Sequence, residues 1–254
     1  MRLFDKLRGK PAPAAPGPHM TPGTRVYAVG DIHGRCDLLD GLHDMILQDA
    51  RDYEGQKILI YLGDFIDRGT ESRAVIDRMI DGPPPGFESI YLRGNHEQTM
   101  LDFMQHPETA AGWLNYGGLA TLLSYGVYLD RPPFSSDLPE IARRLKQKVP
   151  EAHLQFLEGL PLYHREGSYL FVHAGIRPGV ALEEQHPDDL MWIREAFIGY
   201  RQPHEYIVVH GHSISEEAEL LDNRIGIDTG ACVSGVLTCL VLEGETQRLI
   251  QTGQ

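Results

Sequence analysis

Five short segments of the sequence place carboxylate, amide or imidazole side chains beside glycine. They read GDIHG at 30–34, GDFIDRG at 63–69, GNHE at 94–97, HAG at 173–175 and HGH at 210–212. Each follows directly on an apolar run that predicts a buried strand. Because α/β sheets place their sites at the strand ends, we expect the five segments to meet. This mixture of ligand types favours manganese, iron or zinc over calcium or a thiolate-bound metal.

Spacing within the segments supports a metal site. In an extended segment, residues two apart point the same way, so Asp31 and His33 can hold one cation while Ile32 faces the core. The next segment adds two carboxylates, Asp64 and Asp67. A single histidine at a strand end is more commonly structural, but five such segments in chain order predict a shared catalytic centre.

The elements that must position these residues alternate between strand and helix in the first half of the chain. Short β-rich runs begin at Arg25 and cover Lys57–Leu62 and Ser89–Leu92. Between them, Asp37–Ala50 and Glu71–Ile80 carry apolar residues at helical spacing. Right-handed crossovers would make the strands parallel, so the fold class is α/β.

Strand signals disappear over about 106–165, which we predict to be a helical insertion. Trp113, Tyr116, Gly117 and Gly118 fall there; they could close over the site, although core packing is the favoured interpretation. The last third returns to strands at Tyr169–His173, Tyr206–His210, Arg224–Asp228, Val236–Leu242 and Gln247–Gln251.

Composition sets the boundaries of the domain and excludes several partners. Residues 1–24 are rich in Pro and Ala and are predicted to be a disordered tail, leaving 25–254 as a single domain. The net charge is −13, and the basic residues concentrate in the tail, so no nucleic-acid-binding surface is evident. No apolar run is long enough to span a membrane.

Cysteine usage indicates the compartment. Cys36, Cys232 and Cys239 are odd in number and lack CxxC spacing, so neither a disulfide scaffold nor a zinc ribbon is predicted. A reducing cytoplasm is the expected location. The sequence leaves the oligomeric state open.

The signature segments resemble those of a known family, the phosphoprotein phosphatases of the calcineurin-like metallophosphoesterase superfamily, and look like its bacterial serine/threonine phosphatase branch. GDIHG, GDFIDRG and LRGNHE match its three signature blocks, and the likeness continues through WLNYGG, HAG, LMWIRE and HGHS. The resemblance implies a sandwich of two mixed β-sheets flanked by helices, with a two-metal site on loops at the strand ends.

Carried over position by position, the resemblance implies two divalent metal ions, with manganese expected and iron or zinc as alternatives. One ion would take Asp31, His33 and Asp64; the other would take Asp64, Asn95, His173 and His212. Asp64 would bridge them. Such a pair lowers the pKa of a bridging water, and the resulting hydroxide would attack phosphorus in line.

In-line attack also needs cations on the phosphate oxygens and a proton for the departing oxygen. The residues expected to bind the phosphate are Arg68, Arg194 and Asn95, the two arginines through their planar guanidinium groups. His96 would be the general acid, oriented and charged by Asp67. Both catalytic residues follow from the chemistry as well as from the resemblance.

Three functions use these residues. The first is a metal-dependent serine/threonine protein phosphatase, a phosphoric ester hydrolase acting on phosphoproteins by direct water attack. The alternative is a symmetrical diadenosine tetraphosphate hydrolase acting on nucleotides, because the signature segments do not separate the two. A non-catalytic phosphate-binding module is disfavoured, since such a protein would be expected to lose a ligand or the acid.

The remaining polar residues in and around the segments are expected to have supporting or structural roles. Glu97 is expected to brace its loop, against Arg93 in one arrangement, and Asp228 to support the metal ligands. His210 can hydrogen-bond nearby or contact substrate. The histidines outside the segments are given surface or capping roles: His19, His43, His106, His153, His164, His186 and His204.

Overall fold

The computed structural model describes residues 17–253 and builds them around ten strands. In chain order the strands are β1 (Thr24–Val29), β2 (Gln56–Tyr61), β3 (Glu88–Tyr91), β4 (Tyr163–Glu166), β5 (Tyr169–Val172), β6 (Ile207–His210), β7 (Glu219–Leu220), β8 (Arg224–Gly226), β9 (Thr238–Glu243) and β10 (Thr246–Gln251). They form two five-stranded sheets, ordered β10-β9-β1-β2-β3 and β4-β5-β6-β8-β7.

Both sheets are mixed. In the first, β1 pairs in parallel with β2, and β2 with β3, while β9 and β10 run antiparallel. In the second, β5, β6 and β8 are parallel, and β4 and β7 are antiparallel edge strands. The parallel strands β1, β2 and β3 of the first sheet and β5 and β6 of the second end at one edge of the sandwich, which is where the five glycine-flanked segments begin.

Helices cover the outer faces of the sheets. They are α1 (Cys36–Ala50), α2 (Ser72–Asp81), α3 (Asn95–Gln105), α4 (Gly118–Ser124), α5 (Leu138–Lys148), α6 (Glu151–Gly159), α7 (Pro187–Trp192), α8 (Glu195–Ile198) and α9 (Ala231–Ser234). In α1, Leu39, Leu42 and Ile46 recur at helical spacing and are fully buried. Short 3₁₀ turns complete the insertion at Ala111–Tyr116 and Ser135–Asp137.

The core has an inner layer between the sheets and outer layers beneath the helices. Alternate strand residues point to opposite faces, so Ala28 of β1 and Phe171 of β5 both belong to the buried cluster between the sheets. Tyr27, its neighbour in β1, packs with α1 and α2 on the outside. On the second sheet, Val208 faces outward against Phe197 of α8.

The predicted fold class, two mixed β-sheets flanked by helices, is confirmed. The helical region differs at its end, because β4 begins at Tyr163 and pairs with β5. Its residues Tyr-His-Arg-Glu show little apolar patterning, since β4 is an edge strand whose side chains are mostly half-exposed. The two-residue β7 was likewise not predicted.

Ordered sequence begins before Arg25. Met20 is buried in the inner layer, its amide donates to the Gly244 carbonyl, and the amide of His19 donates to Ser168. The rest of the predicted tail, residues 1–16, lies outside the described residues. Within the part of the chain that is described, no helix is long and apolar enough to cross a membrane, and all three cysteines are free.

Three histidines expected at the surface are buried instead. His43 Nε2 lies 2.7 Å from the Tyr61 hydroxyl, and His153 lies between Tyr125 and Asp77. His204 packs against Phe197. The surface interpretation was wrong for these because each ring fills a core position with apolar or hydrogen-bonding neighbours. The capping role does fit His186, whose Nδ1 accepts the Asp188 amide at the start of α7.

Acid should destabilise the fold through His43. Burial lowers the pKa of His43 to about 4 from its ordinary 6.5. Below about pH 6.5 the unfolded chain therefore binds a proton at His43 that the folded chain does not bind. The contribution of neutral His43 to the free energy of unfolding is complete above about pH 6.5 and is lost as the pH falls towards 4. On acidification from pH 7 to pH 5, the free energy of unfolding should fall in both proteins. We expect it to fall by about 1–2 kcal/mol less in His43→Gln than in the wild type.

Urea titrations of the wild type and of His43→Gln at both pH values would measure this difference. His106→Gln, at an exposed position, is the matched control and should follow the wild type. If all three proteins lose the same free energy of unfolding on acidification, His43 does not contribute.

Candidate active site

Asp64 lies between two groups of potential metal ligands. Its carboxylate shares one group with His33 and His96 and the other with His173 and His212, and within each group the ligand atoms all lie within 4.8 Å of one another. Asp64 Oδ2 is 3.6 Å from His33 Nε2, and Oδ1 is 3.4 Å from His173 Nε2. The carboxylate therefore has one oxygen towards each group, as a bridging ligand requires.

The other two predicted ligands flank this centre. Asn95 Oδ1 lies 2.9 Å from His173 Nε2. Asp31 falls outside both groups, and its carboxylate accepts the amide of His212 at 3.0 Å. Buried Asp228 lies beside Asp31, and its Oδ1 accepts the amide of Gly230. All six predicted metal ligands thus meet at one edge of the sandwich, in the segments that follow β1, β2, β3, β5 and β6; Asn95 is the first residue of α3 and the others lie on loops.

Their chemistry fits divalent cations. His33 Nε2 and His212 Nε2 are buried and have no hydrogen-bond partner, a costly arrangement that a cation would relieve. Burial, Asp228 and Asp64 together raise the pKa of Asp31 well above its usual range, which reflects carboxylates crowded without compensating charge. Burial also lowers the pKa of His33 to about 3, keeping the imidazole neutral as metal ligation requires.

Backbone strain concentrates in the same place. Among the described residues, five that are not glycine have positive φ: His33 (47°), Asp64 (52°), Asp67 (73°), Arg68 (66°) and His212 (60°). All five belong to the predicted site. Such conformations cost free energy and persist only where the surroundings impose them, most often at functional sites. The loops therefore hold these side chains in positions that ordinary turns would not give.

Glu97 on α3 supplies part of that restraint. Its buried carboxylate accepts the amides of Asp64, Phe65 and Gly94 at 2.8–2.9 Å. It thereby ties the loop after β2 to the start of α3, which is the bracing role expected for it. Arg93 is not its partner, because that guanidinium donates to Gln98 and to the Glu158 carbonyl.

His96 and Asp67 form a buried pair. His96 Nδ1 donates to Asp67 Oδ2 at 2.6 Å, so Nε2 is left facing the cleft beside Arg68. Burial alone would lower the pKa of His96, but the carboxylates of Asp64 and Asp67 outweigh it and raise the pKa to about 8. The geometry suits an imidazole that gives a proton to a bound group.

Asp67 is itself held by residues that the sequence pattern did not reveal. Trp113 Nε1 donates to Asp67 Oδ2 at 2.7 Å, and Thr121 Oγ1 donates to Oδ1 at 2.5 Å. Ser72 Oγ accepts the Asp67 amide. Trp113 is 1 % exposed, so core packing is the correct interpretation, but its indole also orients the carboxylate. A buried tryptophan needs a hydrogen-bond acceptor for its N–H. This requirement was the one indication in the sequence that Trp113 could contact a polar group such as Asp67.

Both predicted phosphate-binding arginines line a cleft above the metal ligands. Arg68 Nη2 lies 3.2 Å from His96 Nε2, and Arg194 Nη1 donates to the His212 carbonyl at 3.1 Å. The cleft has a volume of about 270 Å³, and Asn95 and His96 also line it. His210 does not reach it: the ring is buried beside Arg224, and its Nδ1 contacts the Gly211 carbonyl.

Buried carboxylate, amide and imidazole ligands, an Asp–His pair and two arginines at one sheet edge define a metal-dependent phosphoesterase. The chain belongs to the calcineurin-like phosphoesterase family, whose model matches residues 24–231. The superfamily suggested by the signature segments is thus confirmed, and with it a site for phosphoester hydrolysis that uses metal ions.

One relative and two solved structures are similar to this chain over most of its length. A protein of Anoxybacillus flavithermus named bis(5'-nucleosyl)-tetraphosphatase PrpE (asymmetrical) is 25% identical over 240 residues, covering 84% of this chain and 88% of its own. The crystal structure of a candidate diadenosine tetraphosphatase covers 92% of this chain and 97% of its own, with TM-score 0.61 and 19% identity. A cold-active protein-tyrosine phosphatase of Shewanella covers 92% and 80%, with TM-score 0.56 and 19% identity. The two structures share the fold.

Proposed function

We propose that this chain hydrolyses bis(5'-nucleosyl) tetraphosphates with the aid of two divalent metal ions. The observation that carries the proposal is the match to the Anoxybacillus tetraphosphatase over most of both chains. That relative's name supports the nucleotide alternative over the serine/threonine phosphatase that the signature segments first indicated. The signature segments are compatible with both because they build only the reaction centre.

The ligand set proposed for the ions is Asp31, His33 and Asp64 on one side and Asp64, Asn95, His173 and His212 on the other. When bound, the ions would supply positive charge for the phosphate oxygens and a water acidic enough to act as nucleophile near neutral pH. The strained loop backbones and the Glu97 brace keep these ligands in place without substrate.

Arg68 and Arg194 bind the phosphate chain in this proposal. A guanidinium presents a planar pair of N–H donors that matches two phosphate oxygens. Both arginines line the cleft that His96 also lines, and Nε2 of His96 lies beside Arg68. A phosphate held by them is therefore placed against the proton donor.

His96 would then protonate the departing oxygen. Asp67 fixes the imidazole through Nδ1 and favours its charged form, while Trp113 and Thr121 keep the Asp67 carboxylate from turning. A nucleotide leaving group needs this proton less than a serine alkoxide does, because its own phosphate stabilises negative charge. His96 could also protonate a serine alkoxide, so the site has a general acid more than sufficient for cleaving a phosphoanhydride.

Chromatography of the reaction products tests the proposal. We expect the Mn²⁺-loaded protein to convert diadenosine tetraphosphate into mononucleotides, either ATP with AMP or two molecules of ADP. The pair formed distinguishes asymmetrical from symmetrical cleavage. Unchanged substrate in a sample whose metal content is verified would refute the proposal.

A further inference from the structure

Two aromatic side chains with exposed faces stand beside the phosphate-binding arginines. Tyr116 is 72% exposed and Trp192 is 47% exposed, and both line the same cleft as Arg68 and Arg194. Large aromatic side chains are usually buried, because leaving their surface in water gives up hydrophobic stabilisation. What distinguishes these two from other exposed aromatics such as Tyr128 is that they line the cleft that holds both arginines, where their rings are available to a ligand.

Local structure fixes Tyr116 next to Arg68. It ends the 3₁₀ turn Ala111–Tyr116, and Gly117 follows in the left-handed region with φ 119°. The Gly117 carbonyl accepts the Arg68 amide at 3.2 Å, and a Cβ at Gly117 would lie 2.7 Å from that nitrogen. The backbone that follows Tyr116 is thereby held against Arg68, while the Tyr116 side chain remains open to solvent.

Trp192 is fixed in a comparable way beside Arg194. It is the last residue of α7, where its neighbours Met191 and Ile193 are buried. The indole ring meets the His212 ring edge-on, with centroids 6.2 Å apart. The backbone is therefore anchored on both sides, and the exposed part of the ring faces the cleft.

From this arrangement we propose that Trp192 and Tyr116 form a stacking subsite for a nucleobase of the substrate. The inference rests on the proposed function and names the part of the substrate that the cleft recognises. Any nucleobase can stack on an aromatic side chain, because every base presents a π-face. The arginines bind the phosphate chain, and the aromatic pair binds the flat group attached to it.

The chemistry of the cleft favours a nucleotide over a phosphoserine or phosphothreonine peptide. The side chain of a phosphoserine carries no planar ring to cover Trp192 or Tyr116. A nucleotide offers phosphate and ring together, and the cleft is lined by both arginines and aromatics. A phosphotyrosine also carries a ring, so the experiment must include it.

The test compares a substrate with bases and an inhibitor without them. With Mn²⁺-loaded protein, KM is measured for diadenosine tetraphosphate and Ki for inorganic tetraphosphate, in the wild type, Trp192→Leu and Tyr116→Leu. We expect each variant to raise KM at least about fivefold, the lower end of one stacked base, and to change Ki by less than about twofold. Trp192→Phe should recover most of the loss.

Tyr128→Leu is the matched control, because Tyr128 is 66% exposed and lies outside the cleft; it should leave KM unchanged. Equal increases in KM and Ki would show that the aromatics only support the site, and would overturn the inference while leaving the proposed function intact. If the wild type cleaves no dinucleotide, the proposed function fails, and the inference with it. Turnover of a phosphotyrosine peptide in that case would assign the cleft to a phosphotyrosyl ring.

Discussion

Asp64→Asn should lose bound metal and reduce kcat/KM on any phosphate ester by at least about 10³-fold, because Asp64 is, among the described residues, the one member common to both ligand groups. Asparagine removes the negative charge that draws in a dication. It also tolerates the left-handed backbone at this position, where φ is 52°. The variant should therefore fold, and the loss should come from the site.

Elemental analysis of the dialysed protein, alongside the rate, measures both effects. Asp49→Asn is a suitable control, since Asp49 is a partly buried carboxylate near the end of α1 that pairs with Arg25 and Arg248 and belongs to neither ligand group. It should retain metal and activity. Full metal content in Asp64→Asn would contradict the bridging role.

His96→Asn should lower kcat by about 10²- to 10⁴-fold on esters with poor leaving groups while leaving metal content nearly intact. The loss should be much smaller on substrates whose leaving group is already stable as an anion, including a dinucleoside tetraphosphate. The physical reason is that only the proton donor is removed, and its value depends on how much the departing oxygen needs a proton.

An alkyl phosphate, p-nitrophenyl phosphate and diadenosine tetraphosphate form a suitable substrate series. Equal losses on all three would count against the general-acid role. His96 also lies close enough to His33 and Asp64 to share a ligand group, so a fall in metal content in this variant would reassign it as a ligand.

Much of the site was predictable because its chemistry is local in the sequence. GDIHG, GDFIDRG and GNHE each place their functional residues within a few positions of a strand end, and parallel strands bring those ends together. The glycines in these segments also signalled unusual backbone. The positive φ of His33 and Asp64 shows that the strain extends to the functional residues themselves.

The features that could not be predicted from the sequence depend on contacts between segments far apart in the chain. Thr121 and Trp113 reach Asp67 from the insertion, across 54 and 46 residues, and neither lies in a pattern that names its partner. Short edge strands such as β7 have too few residues to show the alternation of apolar and polar side chains that predicts a strand. The burial of His43 and His153 follows from which helix faces meet, which a lone polar residue does not indicate.

The most direct test of the account is a paired assay on one Mn²⁺-loaded preparation. It compares kcat/KM for diadenosine tetraphosphate with kcat/KM for phosphoserine and phosphothreonine peptides, with Asp64→Asn as the blank for each. We predict preferential cleavage of the dinucleotide, abolished in the variant. Peptide dephosphorylation without dinucleotide cleavage would contradict the proposed substrate and return the protein to the phosphatase branch.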